Sequence, residues 1–241
     1  CITNAPVCSP ARIALATGLL GTRTGAMDNW DHLPRHLPTY YQRFRDWGYR
    51  VGCVGKLDLS KPYGYNGLEG RRPLTYTWGF TDPVEIEGKM HAGNKPTPRG
   101  PYGHMLQRKG LYQAFHKDYL HRQSNGWSTT AHDSVLPAEN FADTYVGERA
   151  AQWLENITDE YPWHLFVSFP GPHDPFDPPT EYADRYRTAD MPEAIPADAD
   201  KGEREIPPEK ILETRRQYCA SITAIDDAVG RILSVLHQRG M

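Results

Sequence analysis

Thr39-Tyr40-Tyr41-Gln42-Arg43-Phe44-Arg45-Asp46-Trp47-Gly48-Tyr49-Arg50-Val51-Gly52-Cys53-Val54-Gly55 holds a helix, its stop and a buried strand in one run. Thr39 places a side-chain oxygen ahead of a helical stretch that reaches Trp47, and Gly48 ends it. Tyr49 to Gly55 is a short apolar run of the kind that lies inside a sheet. Helix, glycine and strand make one αβ unit, and the alternation recurs downstream. Phe141 to Asn156 predicts a helix with Phe141, Tyr145, Val146 and Trp153 on one side, and Trp163 to Phe169 predicts a strand. Pro208 to Gln238 predicts a long amphipathic helix whose inner face carries Ile211, Tyr218, Ile222, Ile225, Val229, Ile232 and Leu236. The fold class is α/β, a mostly parallel central sheet flanked by helices.

Outward from this frame the elements are shorter. Residues 1 to 7 read as extended and turn-like. Pro10 to about Thr17 reads as a helix with Ser9 as N-cap, Pro10 at its first position and Gly18 as its stop. A loop with Gly21, Gly25 and Asn29 follows. Residues 60 to 135 show little periodicity and much Gly, Pro, Tyr and His, which predicts a long excursion with short irregular elements. The strand at Trp163 runs into a stiff loop, Pro170-Gly171-Pro172-His173-Asp174-Pro175-Phe176-Asp177-Pro178-Pro179, and residues 180 to 205 are acidic, proline-rich surface.

The 241 residues carry 27 Lys+Arg against 30 Asp+Glu, a formal charge of −3, with 39% hydrophobic and 24% charged residues. These ordinary values exclude a disordered tail and give no basic surplus for nucleic acid. No apolar run approaches the roughly 20 residues of a membrane span, so neither nucleic acid nor membrane is an expected partner. Glycine and proline number 21 each, with 14 tyrosines and 6 tryptophans, a composition that suits an enzyme with aromatic loops over a rigid sheet. Cys1, Cys8, Cys53 and Cys219 are too few and scattered for a disulfide scaffold, and no C-x-x-C pair suggests zinc. The start at Cys1 and the end at Met241 lead to the expectation of a piece of a longer protein, incomplete at both ends.

Cys8-Ser9-Pro10-Ala11-Arg12 brings three kinds of chemistry together. A nucleophile stands at a helix N-terminus, where free N–H groups favour an anion, and Arg12 lies one turn on. On spacing alone the pattern equally describes a buried cysteine ahead of a capped helix, with Arg12 at the surface. Lys56, in Val54-Gly55-Lys56-Leu57-Asp58-Leu59, stands at a strand's C-terminal end, where α/β enzymes place ligand-contacting groups. His173 sits among prolines that fix its backbone. His132 is a weak candidate for substrate contact, and His91, His104, His116 and His121 are weaker. The tyrosines and tryptophans of residues 63 to 127 either line a cleft or pack.

Cys8-Ser9-Pro10-Ala11-Arg12 resembles the Cys-x-Pro/Ala-x-Arg signature of the type I sulfatases of the alkaline phosphatase superfamily. Asn4-Ala5-Pro6-Val7, Ala16-Thr17-Gly18-Leu19, Arg23-Thr24-Gly25, Asp28-Asn29, Leu37-Pro38-Thr39 and Gly48-Tyr49 resemble that family's flanks, in order. So does Tyr218 to Thr223 with Val229-Gly230-Arg231, a structural helix in which Asp226 and Asp227 are read as solvated or capping charges.

The resemblance implies that residues 1–241 are part of a sulfatase catalytic domain and that Cys8 is converted to formylglycine by a formylglycine-generating or sulfatase-maturing enzyme. A hydroxyl of the hydrated aldehyde would attack sulfur of a small-molecule or carbohydrate sulfate ester, and the sulfated adduct would break down by elimination. Arg12 and Lys56 would hold the sulfate oxygens and His173 would assist the leaving group. The family's Ca2+ would be met here by formylglycine at Cys8 alone, with its other ligands expected outside this chain. Asp58 departs from the family's usual Gly-Lys-x-His. Three rivals follow: a phosphonate or phosphate ester hydrolase of the same superfamily, a non-catalytic relative with unmodified Cys8, and a thiol hydrolase pairing Cys8 with His173. The last is disfavoured because no third orienting group is evident.

Overall fold

The computed structural model describes residues 2–61, 65–195 and 205–241. Cys1, Tyr63 and residues 196–204 of the acidic stretch lie outside the described residues. The first helix, α1 (Cys8–Thr17), starts at Cys8 rather than at Pro10. Val7 is its N-cap. Ser9 is buried, its backbone N–H donating to Asn29 Oδ1 at 3.0 Å and its hydroxyl to the Asn29 carbonyl at 3.4 Å, so it does not cap the helix. Gly18 ends α1 at φ 72, as its sequence position predicts. The expected loop after it contains one helical turn, α2 (Gly21–Thr24).

In α3 (Tyr40–Asp46), Thr39 Oγ1 accepts from Gln42 N at 3.1 Å and Gln42 Oε1 accepts from Thr39 N at 2.9 Å, a capping box that fixes the helix start. Then comes β1 (Arg50–Gly55). The region 60–135 is more regular than expected. It holds α4 (Pro73–Thr77), β2 (Asp82–Glu85), α5 (Lys89–Gly93), α6 (Pro101–Arg108) and α7 (Tyr112–Asn125). The buried side of α7 is Tyr112, Phe115, Tyr119 and Arg122. That arginine hides the apolar period, yet it is satisfied by Asp118 at 2.6 Å and by the carbonyls of Thr130, His132 and Asp133. The last elements are α8 (Ala142–Asn156), β3 (Trp163–Ser168), α9 (Thr180–Ala183) and α10 (Pro208–Gln238).

The sheet has strand order β2-β1-β3, with both pairs parallel and Cys53 opposite Pro83 and Phe166. Alternate residues of β1 feed two cores. Val51 and Cys53 pack with Ile13, Tyr41 and Phe80, and Val54 packs with Tyr102, Phe115 and Val146. A Cβ on Gly52 would lie 2.7 Å from the Trp153 ring, so this glycine lets α8 approach the sheet.

α10 packs on α8 through small residues: Ala220, Ala224 and Ala228 are buried, and a Cβ on Gly147 would lie 2.8 Å from that of Ala228. Tyr218 and Ile222 are 41% and 44% exposed. Of the expected inner face, Ile232 and Leu236 pack with Ala151 and Leu154 of α8, whereas Tyr218 and Ile222 turn outward and the alanines make the contact there. Close helix approach selects alanine and glycine at the contact over the bulkier isoleucines. No helix among the described residues is long and apolar enough to cross a membrane.

Candidate active site

The C-terminal ends of β1 and β3 lie side by side, Gly55 opposite Ser168, and the start of α1 abuts them. Gly55 has φ 117, and a Cβ there would fall 1.9 Å from the Ser168 carbonyl oxygen, so only glycine allows the strands to end in this contact. The next residue, Lys56, donates its backbone N–H to Ser168 O at 3.0 Å. Its side chain is buried, with Nζ 3.6 Å from Cys8 Sγ and 3.1 Å from Asp58 Oδ2. Lys61 Nζ lies 3.7 Å from the same Asp58 oxygen. Asp58 has φ 51, a left-handed backbone that a short polar side chain tolerates. Arg12 Nη1 donates to Lys56 O at 2.7 Å and to Ser168 Oγ at 2.6 Å, tying α1 to both strand ends.

His173 hydrogen-bonds the Cys8 thiol. Its Nδ1 lies 2.7 Å from Asp174 Oδ1, and Ser128 Oγ donates to the other oxygen of that carboxylate. The bond from His173 brings the Cys8 thiol down to about 6 against the opposing effect of burial, with help from the Lys56 charge. Asp174 first, and Cys8 second, raise His173 to about 9. Between those values the unmodified pair is thiolate and imidazolium. Burial works against ionisation of Asp174, but the bonds from His173 and Ser128 outweigh it and hold the carboxyl below its ordinary range.

The loop carrying His173 is held on both sides by buried charge. Asp143, on α8, accepts from Gly171 N at 2.8 Å. Lys89, on α5, donates to Pro175 O at 2.7 Å and pairs with Asp177, whose other oxygen accepts from Tyr119 at 2.8 Å. Burial pushes the Asp143 carboxyl up to about 6.

Cys8, Arg12, Lys56 and His173 thus line one open groove of about 940 Å³, with Phe166, Phe169 and Tyr218 on its walls. All four residues singled out from the sequence meet there. Asp174 supplies the third orienting group expected to be lacking, and its position next to His173 was the available signal. The Lys89–Asp177–Tyr119 and Asp143 anchors carry no motif.

The weaker histidines lie elsewhere. His132 sits beside Arg122 and Asp118, His104 beside Tyr65, His116 on Gly93 O and His121 beside Asn125, while His91 is exposed. Tyr102, Tyr112 and Tyr119 pack in the core. Asp226 and Asp227 are exposed. Among the described residues no three His, Cys, Asp or Glu side chains converge as a metal ion requires. These residues do not by themselves form a divalent-cation site, and no step below runs through one.

Residues 1–241 match the family model described as Sulfatase. The choline-sulfatase of Rhizobium meliloti (strain 1021) is 28% identical over 99% of this chain and 46% of its own length. The arylsulfatase of Clostridium perfringens is 24% identical over 99% of the chain and 51% of its own. The crystal structure of the phosphonate monoester hydrolase of Agrobacterium radiobacter superposes with a TM-score of 0.69 at 18% identity, covering 99% of this chain and 51% of that one. The fold is alkaline-phosphatase-like, and the chain spans about half the length of these relatives.

Proposed function

We propose that this chain, which belongs to the sulfatase family, is part of a catalytic domain that hydrolyses an organic sulfate ester. The observation that carries the reading is the meeting of Cys8, Arg12, Lys56 and His173 in one groove at the ends of β1 and β3. A residue at the Cys8 position already faces the donors an oxygen nucleophile needs: His173, the Lys56 amine and the free N–H groups of the α1 N-terminus. Formylglycine made from Cys8 by a maturing enzyme fits there, and its hydrated aldehyde supplies the attacking hydroxyl and a later carbon–oxygen cleavage. Cys8 in that form is also this chain's candidate donor to the family's calcium.

Arg12 and Lys56 neutralise the sulfate oxygens as charge grows on them, the kind of preorganised stabilisation worth roughly 10²–10³ in rate per donor. Lys56 is suited to this because burial keeps its charge out of water. His173, held cationic by Asp174, gives its proton to the leaving oxygen. Similarity to relatives named choline-sulfatase, arylsulfatase and iduronate 2-sulfatase supports a substrate among organic sulfates, small-molecule or carbohydrate.

The test is turnover of 4-nitrophenyl sulfate against a 4-nitrophenyl phosphonate ester by the protein as its native host makes it. Faster sulfate hydrolysis, lost in Cys8→Ala, is the expected result. A preference for the phosphonate would favour the second reading, a phosphonate or phosphate ester hydrolase, which Asp58 beside Lys56 keeps open by changing the pocket's charge. No turnover with Cys8 unmodified would leave a non-catalytic relative.

A further inference from the structure

A cavity of about 260 Å³ lies where the loop 68–71 meets α6 and α8, and it shares no lining residue with the Cys8 groove. Three guanidinium groups line it: Arg71 from the loop, Arg108 at the end of α6 and Arg149 on α8. Tyr145, four residues before Arg149 and so on the same face of α8, lines it too. The hydrolytic step derived above uses none of these groups.

The charges here are not balanced from within. Among the described residues Glu69 is the only acid in the lining. It pairs with Arg71 at 3.1 Å, but both side chains are more than half exposed, so water screens the pair. Acids nearby are committed elsewhere: Glu148 reaches Arg231 at 3.4 Å, and Glu87 accepts from Gly103 N at 3.2 Å. Arg149 has only a neutral partner. Its Nη1 donates to Gln152 Oε1 at 3.0 Å, while its buried Nε has no acceptor among the described residues. Arg108 has no ion pair there, and the Tyr145 hydroxyl has no hydrogen-bond partner there. Burial pushes the Tyr145 phenol up, and the charges of Arg149 and Arg108 both act against it, so the two guanidinium groups stand round one ring. Such groups repel one another unless an anion lies among them, and a buried donor without an acceptor is costly enough to be rare.

We propose that this cavity is a second anion site, separate from the hydrolytic groove, and that it takes a tetrahedral dianion such as sulfate or phosphate. Three guanidinium groups against Glu69 leave two positive charges for it. Their planar forks suit paired oxygens, and Tyr145 adds a hydroxyl donor. The volume holds such an ion with several waters, at about 30 Å³ each. Its occupancy does not depend on the sulfate-ester reading.

The experiment titrates sodium sulfate, and separately sodium phosphate, into the natively made protein by calorimetry. Sodium chloride holds the ionic strength constant, at about pH 8, where both ions are dianions. The expected result is a sulfate site that Arg108→Gln and Arg149→Gln each weaken by roughly tenfold or more, the worth of one charged hydrogen bond. Arg149→Lys, which keeps the charge, should lose less, and Lys56→Ala should leave this site unchanged. Far-UV circular dichroism of the arginine variants should match the wild type, which separates lost binding from lost fold. Tighter sulfate would identify the ion with the product of ester cleavage, and tighter phosphate with free phosphate or a phosphate monoester; either order supports the site. Identical titrations for the wild type and both glutamine variants would overturn it, as would nitrate binding as tightly as sulfate. An acidic segment from elsewhere in the full-length protein filling the cavity would give the first of these contrary results.

Discussion

The two strand ends that meet at the groove fix their cations in different ways. At the end of β1, Lys56 is set by its neighbours in sequence, Asp58 and, through it, Lys61. At the end of β3, His173 is set by Asp174 beside it, but its loop is held from a distance, by Asp143 on α8, by Lys89 on α5 through Asp177, and by Ser128. The first cation depends on a short turn. The second depends on a buried network that ties three helices to one loop, so damage far from the groove reaches His173 and spares Lys56.

The sharpest way to break this comparison is Lys89→Met. Its partner Asp177 would stay buried with only Tyr119 as donor, and removing one member of a buried pair costs about 3–5 kcal/mol. Urea unfolding should show that loss, and a much smaller one for Lys61→Met, because Asp58 keeps Lys56. Equal losses would mean that the β3 end has no special dependence on the network. Next in size is Lys56→Ala, expected to lower kcat on an aryl sulfate by roughly 10²-fold or more, while the reactivity of His173 toward diethyl pyrocarbonate stays as in the wild type.

Asp174→Asn sharpens the comparison through pH. His173 is raised to about 9 mainly by Asp174, so its cationic form is present below that value and lost as pH rises through it. In the variant the alkaline limb of the rate profile should move to lower pH. Alkylation of unmodified Cys8, whose thiolate forms above about 6, should in the same variant begin at higher pH as its imidazolium partner is weakened. The smallest effect is expected at Asp143. Its folded pKa of about 6 lies above the ordinary carboxylate value, so the wild type binds a proton on folding and loses stability as pH rises from about 4 to 6. Relative to Asp143→Asn, the wild type should be the more stable below this window and lose that advantage above it, by chemical denaturation at a series of pH values.

Much of the frame was legible because local chemistry decides it. Thr39 with Gln42, Gly18 and the apolar run into Gly55 act within a few residues, and α10 begins and ends where Pro208 and Gln238 place it. β2 was not legible, since Asp82-Pro83-Val84-Glu85 carries no apolar run and is a strand only because β1 lies beside it. On α10, Ile232 and Leu236 fall on the inner face as expected, but Tyr218 and Ile222 do not, because side-chain size, not hydrophobicity, governs that part of the contact with α8. At the groove, Cys8, Arg12, Lys56 and His173 stand in short motifs. Asp143 and Lys89 lie dozens of residues from His173 and meet its loop only through the fold, so no spacing rule reaches them.

The central claim is that Cys8 is the precursor of the nucleophile in a site built by Arg12, Lys56 and His173. It is tested most directly by mass spectrometry of the tryptic peptide ending at Arg12, taken from protein made in its native host. The expected result is the aldehyde at position 8, together with sulfate-ester turnover by the same preparation. A peptide found wholly as the thiol, in a host whose other sulfatases are matured, would contradict it.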